Sequence, residues 1–191
     1  MRSLMLAACL VPFVAWACPV ASADEESAGG TAFTVADGKL AFTAPKGWTK
    51  KQPRTRIIEV EFEISAAKGD ENPGRFTMMG AGGDVQANID RWFGQFEQPG
   101  GADSKEKAKV EKLTVAGKTV HYVDLAGTYK DSPSGPFAGG KTIKRENYRM
   151  LAAIVETKEA GNYFLKFYGP KATVAENEMA FKGMLESLKV K

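Results

Sequence analysis

The chain has 191 residues, with 26 Lys and Arg against 23 Asp and Glu and a formal net charge of +3. That near balance lacks the basic footprint of a nucleic-acid-binding protein. The length allows one domain large enough to bury a stable core without disulfide staples.

The N-terminus opens on Met1-Arg2-Ser3, continues as an apolar stretch from Leu4 to Ala17, and reaches Ala21-Ser22-Ala23 before Asp24. A short positive start, an apolar run and a small-x-small site are the features that export machinery reads. Residues 1–23 are therefore expected to be a signal peptide, and the mature protein to be periplasmic or secreted. The apolar run is shorter than the roughly 20 residues needed to cross a bilayer, and Pro12 interrupts it. Lipid attachment at Cys9 or Cys18 is the competing processing route. Cys9 leaves only eight residues upstream, and Cys18 follows bulky Trp16, so both fit a lipobox poorly. Cleavage after Ala23 removes both cysteines and Arg2, which leaves a net charge of +2. Thiol chemistry and cysteine-ligated zinc are then excluded.

Residues 24–30 are small and polar, a flexible lead-in to one domain over 31–191. Thr31–Ala36 and Lys39–Ala44 flank Asp37-Gly38, the turn dipeptide of a tight hairpin. Pro45-Lys46-Gly47-Trp48 breaks the second strand. From Arg56 to Ile64 the residues alternate, with Ile58, Val60, Phe62 and Ile64 on one face and Glu59, Glu61 and Glu63 on the other. A polar loop over 66–74 precedes a short strand over Arg75–Met79. Asp84 caps a helix expected to run to Glu97, with Val85, Ile89, Trp92, Phe93 and Phe96 as its apolar stripe. Lys109–Val115 and Lys118–Tyr129 read as strands joined at Ala116-Gly117. Lys130 to Asn147 reads as a long loop, and Tyr148–Glu156 with Asn162–Tyr168 as a hairpin turning at Gly161. Thr173 with Glu176 forms a capping box for a last helix over Val174–Leu188. The sum is an α+β domain: an antiparallel sheet of six to seven strands with two main helices packed on it.

Three short patterns resemble the PsbP-like domain family. Ala44-Pro45-Lys46-Gly47-Trp48 is similar to its P-x-G-W opening, and Val115-Ala116-Gly117-Lys118 to one of its turns. Tyr163-Phe164-Leu165 and the helix ending Met184-Leu185-Glu186-Ser187-Leu188 resemble its closing segment. The family includes extrinsic photosystem II subunits, exported bacterial relatives and the structurally similar Ran-release factor. The resemblance covers most of residues 31–189 and implies an α/β/α sandwich with a binding or assembly role rather than catalysis. It names no ligand, because relatives bind unrelated partners.

Few motifs offer chemistry of their own. Gly135 to Thr142, with Lys141, matches the Walker A pattern, whose phosphate cradle needs a helix directly after it. Only five residues separate Thr142 from the strand expected at Tyr148, too few for that helix. Gly82-Gly83 before Asp84 reads as a turn and cap rather than an anion cradle. His121, the single histidine, shares a strand face with Val123 and Leu125. As a general base it would need a nucleophile, with Ser132 and Ser134 the candidates by sequence proximity. Glu59, Glu61 and Glu63 stand about 7 Å apart along their strand, loose spacing for Ca²⁺ and closer to a solvated face opposite basic neighbours.

Two surfaces are the candidate sites. Lys46, Lys50, Lys51, Arg54 and Arg56 occur with no acid between them and with Trp48 among them, a surface for anionic headgroups, an acidic partner or a polyanionic wall polymer. Alternatively, Trp48 is tucked into the core and the rest is a solvated loop. The 130–147 loop carries Phe137 at its glycine-rich tip, with Lys141, Lys144 and Arg145 behind. The reading is an exported binding or assembly protein with no cofactor and no catalytic residues, its partner a protein or another envelope component. The alternative is a small-ligand or anion-binding protein with a pocket between the sheet and the long loop. A hydrolase built on His121 is the third choice.

Overall fold

The structure, a computed structural model, describes residues 29–133, 141–158 and 160–191. The expected signal peptide, Cys9, Cys18, Ser134, Phe137 and most of the Walker-like segment lie outside the described residues. Among the described residues, no helix is long and apolar enough to cross a membrane.

Strands β1 (Thr31–Val35) and β2 (Leu40–Ala44) form the expected hairpin, turning through Ala36, Asp37 and Gly38, all at positive φ. A two-residue C-terminal strand, β11 (Lys189–Val190), adds to β2 and completes a three-stranded sheet. The main sheet contains β3 (Trp48–Lys51), β4 (Val60–Ile64), β5 (Gly74–Ala81), β6 (Phe96–Glu97), β7 (Lys109–Val115), β8 (Lys118–Asp131), β9 (Ile143–Thr157) and β10 (Gly161–Pro170). Its order is β3-β4-β5-β10-β9-β8-β6, with β7 also on β8, and every pairing is antiparallel. The α+β architecture expected from the sequence is the one observed.

The two faces of the sheet are covered differently. Helices α3 (Lys171–Glu176) and α4 (Glu178–Glu186) and the small sheet close one face over Phe62, Phe76, Leu151, Leu165 and Phe167. Phe181 of α4 packs against Phe76, Phe167 and Tyr122 at centroid distances of 6.3, 6.2 and 6.2 Å. Helix α1 (Val85–Phe93) lies on the other face, with Ile89, Trp92 and Phe93 over Val123, Leu125, Ile154 and Phe164, and the one-turn helix α2 (Ser104–Lys107) precedes β7. The β3-β4-β5 half of that face carries charged side chains instead.

Four expectations need correction. The first helix stops at Phe93, and Phe96 and Glu97 are a strand, because Gln95 accepts the Lys130 amide at 2.8 Å and draws the chain onto β8. The strand expected from Arg56 begins only at Val60; Thr55–Ile58 is a turn that leaves Ile57 exposed. The last helix starts at Lys171 and breaks at Asn177. Thr173 lies inside it and caps nothing: its hydroxyl donates to Asp70 at 2.6 Å and accepts the Ala67 amide at 2.9 Å. The 130–147 loop is shorter than expected, since β8 continues to Asp131 and β9 begins at Ile143.

Phe181→Ala empties a fully buried aromatic site that bridges α4 and the sheet. It is expected to lower unfolding stability by about 3–5 kcal/mol, read as a fall in the urea midpoint at unchanged slope.

Candidate functional site

The sequence-predicted basic residues occupy one end of the main sheet. Among the described residues β3 is its terminal strand, paired with β4 on one side only. Trp48 opens β3 but points inward: it is 6% exposed, stacks among Phe62, Phe76 and Phe167, and donates its indole N–H to Asn177 at 3.1 Å. It therefore belongs to the core and not to the surface. Lys46, Lys50, Lys51, Arg54 and Arg56 are all exposed. Lys51 pairs with Glu63 at 3.1 Å and Arg54 with Glu61 at 3.5 Å, whereas Lys46, Lys50 and Arg56 have no ion-pair partner among the described residues.

The three glutamates do not form a solvated row. Glu59 accepts the Tyr163 hydroxyl at 3.0 Å and the amides of Gly80 and Ala36 at 3.1 and 3.2 Å. The Glu61 side chain is only 4% exposed and receives two hydrogen bonds from Arg75, at 2.8 and 2.9 Å. Burial pushes the Glu61 carboxyl up, but the Arg75 hydrogen bonds and charge, with help from Arg54, hold it below the usual carboxylate range. Among the described residues no cluster of three or more acids and histidines is arranged to hold a metal ion.

Beside this pair lies a cleft of about 380 Å³. Lys51 and Arg54 line it from one side, Arg75 and Tyr168 from the middle, and Arg145 with Asp131 from the other. Lys51 and Arg54 from one surface singled out in the sequence and Arg145 from the other thus meet across one concavity. A β-bulge makes this meeting possible. Gly127 pairs with Tyr148 but Tyr129 pairs with Arg145, so β9 carries one residue more than β8, and Asn147 takes φ 54° there. Side chains alternate along a strand, so the added residue shifts everything before it to the other face. Arg145 takes the place opposite Tyr129 that Glu146 would otherwise fill. It contacts Asp131 through Nε and Nη2, both at 3.3 Å. Lys144 turns away to Glu97 at 2.6 Å.

Lys166 of β10 stands behind the cleft. Its ammonium donates to the Gln95 side-chain oxygen and to the Tyr129 hydroxyl at 3.1 Å, and lies 4.8 and 4.6 Å from the ring centres of Tyr129 and Tyr168. Both hydrogen-bond partners are neutral. Burial, reinforced by the Arg75 charge and opposed by Asp131, pushes the Lys166 amine down to about 7. Nothing in the local sequence announces this residue, a lysine at an inward position of an alternating strand. The only signal is that the position belongs to the face of Phe164 and Tyr168.

The remaining motifs acquire structural roles. His121 meets Glu156 at 2.6 Å, and Ser132 lies roughly 35 Å further along the strand direction. The Walker-like segment is followed by β9, a strand, where phosphate binding needs a helix. Asp84 caps α1 by accepting the Ala87 amide at 2.8 Å, as the sequence implied. A larger depression of about 690 Å³ beside α1 includes Asp90, Glu97, Asp103, Lys105 and Lys130 and none of the predicted site residues.

Lys166 predicts a pH signature. Its ordinary value is 10.5. Between about 7 and 10.5 the unfolded chain binds a proton that the folded chain does not, so stability rises with pH through that window. Below it both states are charged and the cost is fully present. Urea midpoints of the parent are expected to rise from pH 7 to 10 relative to those of Lys166→Met.

No protein-family model and no curated protein sequence matches this chain. Solved structures do. The solution structure of cyanobacterial PsbP (CyanoP) from Synechocystis sp. PCC 6803 superposes at TM-score 0.53 with 10% identity, over 91% of this chain and all of that one. LpqN, involved in cell envelope biogenesis of Mycobacterium tuberculosis, reaches TM-score 0.48 at 10% identity over 87% of each chain. The Saccharomyces cerevisiae Ran-binding protein Mog1p also reaches 0.48 at 10% identity, over 85% of this chain and 95% of its own. Identity this low speaks to fold alone. On the likeness to CyanoP, the chain has the PsbP-like fold.

Proposed function

We propose that this chain is an exported, non-enzymatic binding or assembly protein that docks an acidic segment of a protein partner along β3. The observation that carries this reading is the edge itself. Among the described residues β3 ends the sheet with one side unpaired, and the exposed cations Lys46, Lys50 and Arg56 on and beside it have no acidic partner. An open edge offers backbone hydrogen bonds to an incoming extended segment. Lysines on such an edge discourage pairing with a second copy by like-charge repulsion and leave an acidic strand favoured. The PsbP-like fold supports a binding role by analogy, and the partner is expected in the same compartment as the exported chain.

The charge-reversed variant Lys50→Glu with Lys51→Glu and Arg54→Glu is expected to lose the partner that crosslinking of the parent captures in the native host. Equal capture by both would overturn the reading. Capture lost together with binding to anionic liposomes would redirect it to a membrane surface. Export has its own test. The intact mass of protein recovered from the native host is expected to correspond to a chain starting at Asp24, and a lipid-modified cysteine at the start would overturn that.

A further inference from the structure

The cleft beside β3 holds charges that are not settled among themselves. Four cations and three acids line it. Glu61 is committed to Arg75 and Arg54, and Glu63 to Lys51. Among the described residues Arg145 hydrogen-bonds Asp131, through two contacts that reach one carboxylate oxygen at 3.3 Å. That is long for a charge-assisted bond, which is ordinarily about 2.7–2.9 Å. The guanidinium fork, which suits two coplanar oxygens, is therefore only loosely engaged.

Among the described residues the ammonium of Lys166 has neutral hydrogen-bond partners only, Gln95 and Tyr129. The groups facing it are Arg75 from β5, Tyr129 and Asp131 from β8, and Tyr168 on β10 itself. From β9, Tyr148 stacks on Tyr129 at 6.2 Å. Burial holds Tyr129 and Tyr148 uncharged, so Asp131 is the one acid of this set, and it is shared with Arg145. Tyr168 links the two compartments: its ring faces Lys166 at 4.6 Å and its hydroxyl accepts from Arg75 at 2.8 Å at the cleft wall.

We propose that this cleft binds a small free oxyanion, a carboxylate or phosphate group, on Arg145, and that Lys166 takes up a proton as the anion binds. The volume, about 380 Å³, lies at the small end of ligand pockets. An anion on Arg145 adds negative charge near a buried amine, where a weakly screened field favours the protonated form. The proton comes from solvent and no covalent bond changes. The site is separate from the β3 edge, although Lys51 and Arg54 border both.

The test is titration calorimetry of the purified protein with citrate and with pyrophosphate, each in two buffers of different ionisation heat. Binding of at least one probe is expected, with proton uptake approaching about one at pH 8 and falling toward zero at pH 6, where Lys166 is already charged. Arg145→Gln is expected to weaken binding about tenfold or more. Lys166→Met is expected to abolish the uptake while binding persists at pH 6, and Lys166→Gln serves if the methionine variant fails to fold. No binding of either probe at millimolar concentration overturns the proposal. So does unchanged affinity in Arg145→Gln, or uptake that persists without Lys166. Arg145 and Lys166 lie outside residues 46–56, so failure here leaves the partner-docking reading intact, and equal capture by the parent and the charge-reversed variant leaves this one intact.

Discussion

A sheet of this breadth, roughly 30 Å across its strand order, has two faces to shield, and the chain supplies enough apolar cover for only one and a half. Two helices and a second small sheet close the first face over a continuous aromatic core. On the second face α1 is nine residues long, about 13 Å. It reaches across β8, β9 and β10 and stops. The uncovered strands must keep their inner row on the closed face while meeting water on the other. Glu61, Arg75, Lys51 and Arg54 follow from that requirement, and the cleft is the step between the covered and uncovered halves.

At that step the polar groups are too enclosed to be indifferent to one another. Glu61 is nearly buried, so its charge persists because Arg75 meets it with both ends of the guanidinium fork. Removing either partner would strand the other. Lys166 is the opposite case, a cation enclosed with rings, an amide and a hydroxyl for company, and its amine answers by shedding its proton near neutrality. A buried ion pair on β4 and β5, an amine on β10 with neutral hydrogen-bond partners and a loosely held Arg145 on β9 give this region of the sheet a distinctive electrostatic character.

The edge at β3 is shaped by the same geometry from the outside. Trp48 anchors the strand by turning into the aromatic core, and the residues after it are left on the rim. Lys50 shares the face of Trp48 yet is exposed, because β3 runs out past the edge of the core, and its burial falls from Trp48 onward. His121, by contrast, sits far from Ser132 and is engaged by Glu156. The glycine-rich segment before β9 leads into a strand, which removes the helix dipole that phosphate binding there would require.

Much of the architecture was legible in local patterns: the Asp37-Gly38 hairpin, the Asp84 cap, the Ala116-Gly117 turn and the alternating strands each depend on neighbours within a few residues. Where a distant partner competed, local reading failed. Thr173 carries a capping signature, yet Asp70 and the Ala67 amide claim its hydroxyl; Phe96 continues a helical stripe, yet β8 offers it a strand partner. Of the candidate site residues, the basic run from Lys46 to Arg56 was visible because it is contiguous, and Arg145 was visible as a charge without a position. By itself the sequence determined the antiparallel α+β class and the cations available to it, since alternation, turn chemistry and charge are properties of short segments. Only the tertiary structure decided that Trp48 faces inward, that a bulge brings Arg145 rather than Glu146 to the cleft, and that Lys166 is enclosed behind it. Register and burial depend on residues far apart in the chain, and no local pattern encodes them.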